Sequence, residues 1–336
     1  MIVVKWPTLT YFNLTQMKLI NISILAIVQL TMAGCSGCSR KERQGASGAD
    51  SAAVQKKSPR EDILVGMLNV AVDESVYPLL KEQEEVFLSA YPNANLNLIA
   101  KPEVFAIREL LSNNASVAIL ARELNEAENE YFKNRSIKPR KFPVWTDGIV
   151  VINHTKLADT SVTIEYLVNA MKGISEDGKK IVFDNLNSSV FRHLKELGNL
   201  EKVASSFVEA HDGGEKVLEV VANDLDKIGI LGYNAYLDLI SAFPDRNNIR
   251  ILSVQNTVGE KADNKYYKPS QSTIAAEQYP LRRTFYVLNY QPNLGLGIGF
   301  SAFLTGDRGQ RIVLKSGLVP AEMPGRDIII RDEIKL

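Results

Sequence analysis

The run Asp184-Asn185-Leu186-Asn187-Ser188-Ser189-Val190-Phe191-Arg192 gathers hydrogen-bond donors at one point of the chain. Asn187, Ser188 and Ser189 are all good N-caps, and helical spacing follows them. An ordinary helix cap is one reading of the run. The other uses the same physics. A helix start offers free N–H groups and a partial positive charge, two hydroxyls add donors, and Arg192 lies one turn on. Together they suit a tetrahedral oxyanion. The run Val72-Asp73-Glu74-Ser75-Val76-Tyr77-Pro78 repeats the arrangement, with Ser75 as cap or donor beside the N–H of Val76, and Pro78 setting the early turn. Glu74 works against an anion there, because its carboxylate competes with one.

Catalytic and metal chemistry find less support. His154, His193 and His211 are scattered and lack metal-ligand spacing. No serine sits in a G-x-S-x-G elbow, so a secreted hydrolase lacks a nucleophile and base at a convincing spacing. The glycines at Gly295, Gly297 and Gly299 neither follow the first strand nor match G-x-G-x-x-G, so nothing points to a dinucleotide. The expectation is a binding protein rather than an enzyme, with no cofactor and no metal.

The loops need a scaffold to hold them. From Ile63 a near-continuous apolar strand runs into Asp73, and a helix with apolar positions Leu79, Leu80, Val86 and Phe87 follows. Strands at Asn95–Lys101, Ser116–Glu123 and Lys138–His154 alternate with helical segments, and the alternation continues through strands at Lys180–Asp184 and Lys227–Tyr233. Asp245–Gln278 reads as a long polar connection before a last strand at Leu281–Asn289. This is an α/β pattern with helices on the sheet faces. Such sheets bind ligands beyond the carboxyl ends of their strands. Three loops qualify: Asp73-Glu74-Ser75, Ala121-Arg122-Glu123 and Asn185–Ser189.

Composition sets limits. The chain has 336 residues, 45% of them hydrophobic, with 39 basic and 39 acidic residues. That length suits one large domain or two ordinary ones, and the neutral balance gives no general pull toward nucleic acid. Both cysteines, Cys35 and Cys38, follow an apolar run at Leu19–Leu30, so the rest of the chain can form no disulfide. A basic start, an apolar segment and small residues describe an export signal over residues 1–34, with Met17 the better start. A non-cleaved anchor helix is the other reading, though the run is short for a membrane span. Leu30-Thr31-Met32-Ala33-Gly34-Cys35 resembles a bacterial lipobox, which implies lipidation of Cys35. Residues 35–60 then form a flexible Ser-, Gly- and charge-rich tether.

The serial order of "VAVDESVYPLLKEQEEVF", "VAILAREL", "FPVWTDGIVVINH", "FDNLNSSVFRHL", "IGILGYNAY", "YPLRRTFYVLN" and "GFSAFLTGDRGQRIVLKSGLVPA" resembles the phosphate-binding lipoproteins of bacterial ABC importers. These are class II periplasmic binding proteins, and the chain looks closest to a Bacteroidetes-type branch. The resemblance implies a two-lobe α/β fold, each lobe a mixed, mostly parallel sheet flanked by helices. Lobe one would hold residues 61–146 and 281–336, and lobe two residues 147–280. The lobes would hinge at Asp147 and Gly148 and close on a ligand. Ser75, Val76, Arg122, Asn187, Ser188, Ser189 and Arg192 are the expected ligand contacts.

The implied protein is a monomer on the periplasmic face of a membrane, held by a lipid, that passes inorganic phosphate or a related oxyanion to an ABC permease. A binding-protein-like scaffold without a transport ligand is the alternative. The family's Ser- and Gly-rich second loop is here Lys101-Pro102-Glu103, and Arg122 stands where the family has an aspartate. Asp184 falls where it has an arginine. Arg122 would then welcome either anion or pair with Asp184 across the cleft, and both outcomes predict poor discrimination between phosphate and sulfate.

Overall fold

A computed structural model describes residues 63–325 except Glu176. The expected leader, tether and lipidated Cys35 lie outside the described residues. The first half of the chain runs β1 (Gly66–Asp73), α1 (Tyr77–Ala90), β2 (Ala94–Lys101), α2 (Glu103–Leu111), β3 (Val117–Leu120), α3 (Glu126–Lys133) and β4 (Arg140–His154). Next come β5 (Ser161–Val162), α4 (Ile164–Lys172), β6 (Lys180–Phe183), α5 (Ser189–Leu197), β7 (Val208–Ala210), α6 (Gly214–Asn223), β8 (Lys227–Gly232) and α7 (Tyr233–Ala242). The chain continues through β9 (Ile249–Ile251), β10 (Ser253–Gln255), β11 (Tyr266–Tyr267) and α8 (Gln271–Ala275). It closes with β12 (Arg282–Asn289), α9 (Leu296–Thr305), α10 (Asp307–Lys315) and β13 (Val319–Pro320).

One mixed sheet carries the order β2-β1-β3-β12-β4-β8-β6-β7, with β13 and β9 also on β4. The outer strands of each half are parallel: β1 with β2 and β3, and β6 with β7 and β8. Antiparallel pairing is confined to the middle, where β12 meets β3 and β4, and β4 meets β8. The strand residues Val117 to Leu120 are all buried, as expected where helices cover both faces.

The core divides along β4. Val70, Leu80, Phe87, Trp145, Phe285 and Phe300 pack in one apolar cluster, with Phe87 edge-on to Phe300 at 5.2 Å. Ile149, Val151, Phe183, Ile230, Tyr279 and Leu281 pack in another. The change falls between Trp145 and Ile149 on β4, and between Leu281 and Phe285 on the returning chain. The protein therefore has two α/β lobes, which is the expected fold class.

Through Gly148, β4 pairs with β12; from Ile149 it pairs with β8. A single strand thus runs from one lobe into the other without a break at Asp147 and Gly148. The polar stretch after Asp245 differs from its reading as a connection. It holds β9, β10, β11 and α8, and β10 joins β5 and β11 in a small three-stranded sheet. Strands of two or three residues carry too few side chains for a period-2 pattern to show.

Candidate functional site

The loop after β1 and the loop after β6 meet at the boundary between the lobes. Asp73 ends β1 and caps the turn Glu74–Val76. Its Oδ1 accepts from the backbone N–H of Ser75 at 3.0 Å and from the Ser75 hydroxyl at 2.7 Å. Across from it, Ser188 is the N-cap of α5, its Oγ accepting from the Phe191 N–H at 3.3 Å and donating to the Asn185 carbonyl at 2.8 Å. Ser189 opens the helix itself and is fully buried.

Arg283 of β12 lies between the two serines. Its Nη1 donates to Ser189 Oγ. Its Nη2 donates to Ser75 Oγ at 2.9 Å and to Asp147 Oδ2 at 3.0 Å. The guanidinium lies over the Phe285 ring, 5.1 Å from its centre, which adds a cation–π attraction. Asp147 in turn accepts from the Asn234 N–H in the first turn of α7 at 3.1 Å. Gly232 leaves room for this contact. A Cβ there would stand 2.7 Å from Arg283 Nη2 and 3.0 Å from the Ser75 Cβ.

Carboxylates surround the arginine. Asp73, Asp147 and Asp184 are buried. Burial pushes Asp184 up to about 6, with Asp73 adding to the rise against the pull of the Asn185 N–H and of Arg283. Burial likewise raises Asp147 to about 6, against the attraction of Arg283. Glu74 rises to about 7, first from burial and then from the nearby charges of Asp184, Asp73 and Asp212. His193, one turn past Ser189, is lowered to about 4 by burial and by Arg283 and Arg192. Three buried atoms here have no hydrogen-bond partner among the described residues: Asp73 Oδ2, an acceptor, Arg283 Nε, a donor, and His193 Nε2. No group of His, Cys, Asp or Glu among the described residues is arranged to hold a metal ion.

The expected contacts separate into two places. Ser75 and Ser189 meet on Arg283, with Ser188 capping beside them. The Val76 side chain is buried in the apolar core of the first lobe. Asn187 turns its carbonyl to the Val104 N–H at 3.2 Å. Arg122 does not pair with Asp184. Two 2.8 Å bonds tie it to Glu128 and a third, at 3.3 Å, to Glu103. Arg192 spends all three guanidinium nitrogens on Glu103 and Glu196. Arg283 is not among the residues picked out by motif, and Asp73 is picked out only as part of its loop. The strand alternation carried a signal, since Arg283, Phe285 and Val287 share the buried face of β12. A charged residue in that register needs a partner, and Asp147 stands opposite it.

Two lobes of α/β structure joined by a shared strand, with a polar cluster between them, define a solute-binding-protein architecture. A family model described as a PBP superfamily domain matches residues 43–308, and the chain belongs to that family. Among its relatives, the phosphate-binding protein PstS of Pseudomonas aeruginosa is 20% identical over 282 residues, covering 76% of this chain and 83% of that protein. A Clostridium perfringens protein described as a phosphate ABC transporter substrate-binding protein, solved with bound phosphate, superposes with a TM-score of 0.61. It shares 16% identity over 76% of this chain and all of that one. An ABC-type phosphate transport receptor from Vibrio cholerae gives a TM-score of 0.58 at 17% identity, again covering 76% of this chain and 100% of its own. These structural likenesses establish the fold.

Proposed function

We propose that the protein captures a small oxyanion, phosphate first, between its lobes and delivers it to an ABC-type importer. The observation that carries this reading is Arg283, bonded to Ser75 from one loop and Ser189 from the other. An oxyanion can accept from that guanidinium, from the Ser189 hydroxyl and from the N–H groups at the start of α5. The unpartnered Asp73 Oδ2 and the raised Asp184 supply acceptors beside those donors. A protonated oxyanion such as hydrogen phosphate can donate to them. Sulfate at neutral pH has no proton to give and would face a bare carboxylate.

This changes the expected selectivity. The expectation of poor discrimination rests on Arg122 standing in an aspartate's place, and Arg122 is engaged by Glu128 and Glu103 instead. The family relationship and the names of its phosphate-binding relatives support the same ligand class. The reading is of capture rather than catalysis, and the phosphate-binding transport proteins among its relatives support it.

Export and lipidation at Cys35 complete the proposal, with the protein a monomer tethered at the periplasmic face of a membrane. Bending of β4 at Asp147 and Gly148 would let the lobes part. The test is calorimetric titration of the exported protein with phosphate beside a panel of anions, expected to give one phosphate per chain. Heat and thermal shift absent for every anion would favour an envelope scaffold instead.

A further inference from the structure

We infer that Glu103 and Arg192 form a latch that closes the two lobes through the protein's own charges, without help from an anion between them. The inference rests on the two-lobe fold and not on the identity of the ligand.

Glu103 is the first residue of α2, in the first lobe, and its side chain is 1% exposed. Arg192 lies on α5, in the second lobe. Arg192 Nε reaches Glu103 Oε1 at 2.6 Å and Nη2 reaches Oε2 at 3.0 Å. This is a bidentate fork, the strong and directional form of an arginine–carboxylate contact. The pair is braced on both sides. Arg122 adds a 3.3 Å contact to Glu103 and is itself held by Glu128, and Arg192 Nη1 reaches Glu196 at 2.6 Å. Glu128 is fixed in turn because it completes the capping box of α3 with Asn125. The charges therefore alternate in sign along Glu128, Arg122, Glu103, Arg192 and Glu196. Beside them the Val104 N–H donates to the Asn187 carbonyl at 3.2 Å, a second bond between the lobes.

Within this row of charges, the contact that crosses between lobes is the one between Glu103 and Arg192; Arg122 and Glu128 belong to the same lobe as Glu103. Parting the lobes would break the fork and leave Glu103 with Arg122 alone. A latch of this kind favours the closed arrangement whether or not a ligand is inside. It therefore slows entry and exit of ligand together and leaves the equilibrium affinity nearly unchanged, as long as the closed form predominates on both sides of the binding equilibrium. A ligand-contact role for Arg192 predicts something different, with weaker affinity and faster exit only.

The experiment is small-angle X-ray scattering on the full exported chain, freed of anion by dialysis, as wild type, Glu103→Gln, Arg192→Gln, Arg192→Lys and Arg122→Gln. Circular dichroism confirms that each is folded, and Arg192→Lys retains the charge should Arg192→Gln fail to fold. The expected result is a compact wild type and a larger radius of gyration for Glu103→Gln and Arg192→Gln, a smaller increase for Arg192→Lys, and none for Arg122→Gln. A wild type already open without anion, or variants with the wild-type radius, would overturn the latch. Stopped-flow mixing with inorganic phosphate supplies the second readout. Entry and exit rates in Glu103→Gln should rise together by about tenfold, with Kd changed by less than about threefold. A rise in exit rate alone would overturn the latch in favour of a ligand contact. If phosphate does not bind at all, the scattering result still decides the matter, because it uses no ligand.

Discussion

Arg283 on β12 and Asp147 on β4 stand directly opposite each other in the sheet and join through a 3.0 Å ion pair, with side chains 2% and 0% exposed. The pair has two consequences. It holds the guanidinium between Ser75 and Ser189, and it competes with any anion for the same charge. Replacing Asp147 by Asn separates the two. The unliganded protein should lose about 3–5 kcal/mol, the usual cost of stripping a buried charge of its partner. Phosphate should then raise the unfolding temperature of Asp147→Asn more than that of wild type, because the freed guanidinium regains a counter-charge. Thermal unfolding with and without phosphate checks both. A smaller phosphate shift in the variant would show that Asp147 organises the site rather than competing in it.

The adjacent serines at the start of α5 should behave differently. Ser188 caps the helix, so Ser188→Ala should cost about 1 kcal/mol of stability and change anion affinity little. The Ser189 hydroxyl meets Arg283, so Ser189→Ala should weaken anion binding by about 1.5–3 kcal/mol, the range for a hydrogen bond to a charged group. Denaturant unfolding and calorimetry on the two single variants measure the split. Equal losses of affinity would mean that the whole turn acts as one unit.

Glu74 should make stability fall as pH rises toward the alkaline side of neutral. Its pKa is raised to about 7 in the folded protein by burial and by Asp184, Asp73 and Asp212. The folded chain therefore binds its proton more tightly than the unfolded chain does. A raised carboxyl pKa means stability present at low pH that is lost between the unfolded value, near 4.5, and about 7. At pH 4, below the unfolded value, the side chain is neutral in the folded protein and largely neutral in the unfolded one, and Glu74→Gln should nearly match wild type. At pH 8 it is ionised among like charges, and the variant should be the more stable. Unfolding midpoints at the two pH values test this, and a gap that does not widen with pH would remove Glu74 from the buried acidic cluster.

Much of the architecture was legible in the sequence because it rests on long periodic segments. The helix of α1, with Leu79, Leu80 and Phe87 on one face, and the apolar run of β3 announce themselves by spacing. The two loops that hold Ser75 and Ser189 were legible from cap chemistry. Their meeting point was not, because Arg283 comes from a strand almost a hundred residues after Ser189 and carries no local motif. Only the register of β12 against β4 sets it opposite Asp147. In the sequence the charges of Arg122 and Arg192 stand as available to a ligand, since a sequence does not show that Glu103 will be folded between them. The short strands β5, β9, β10 and β11 were hidden for a simpler reason. Their stability comes from the strands they pair with, β9 on β4 and β10 between β5 and β11, rather than from their own residues.

The central claim is that the Arg283 cluster binds a protonated oxyanion, with a carboxylate accepting its proton. The most direct measurement is a competition titration of phosphate against sulfate at pH 7 and moderate salt, on wild type and on Asp184→Asn. Asp184 is the better choice than Asp73, which also holds Ser75 in place. The account predicts that wild type prefers phosphate by at least about a hundredfold, or about 2.7 kcal/mol. In Asp184→Asn the gap should shrink to within about tenfold, because the amide can donate to sulfate where the carboxylate repels it. Equal affinity for the two anions in wild type, or binding of neither, would contradict it.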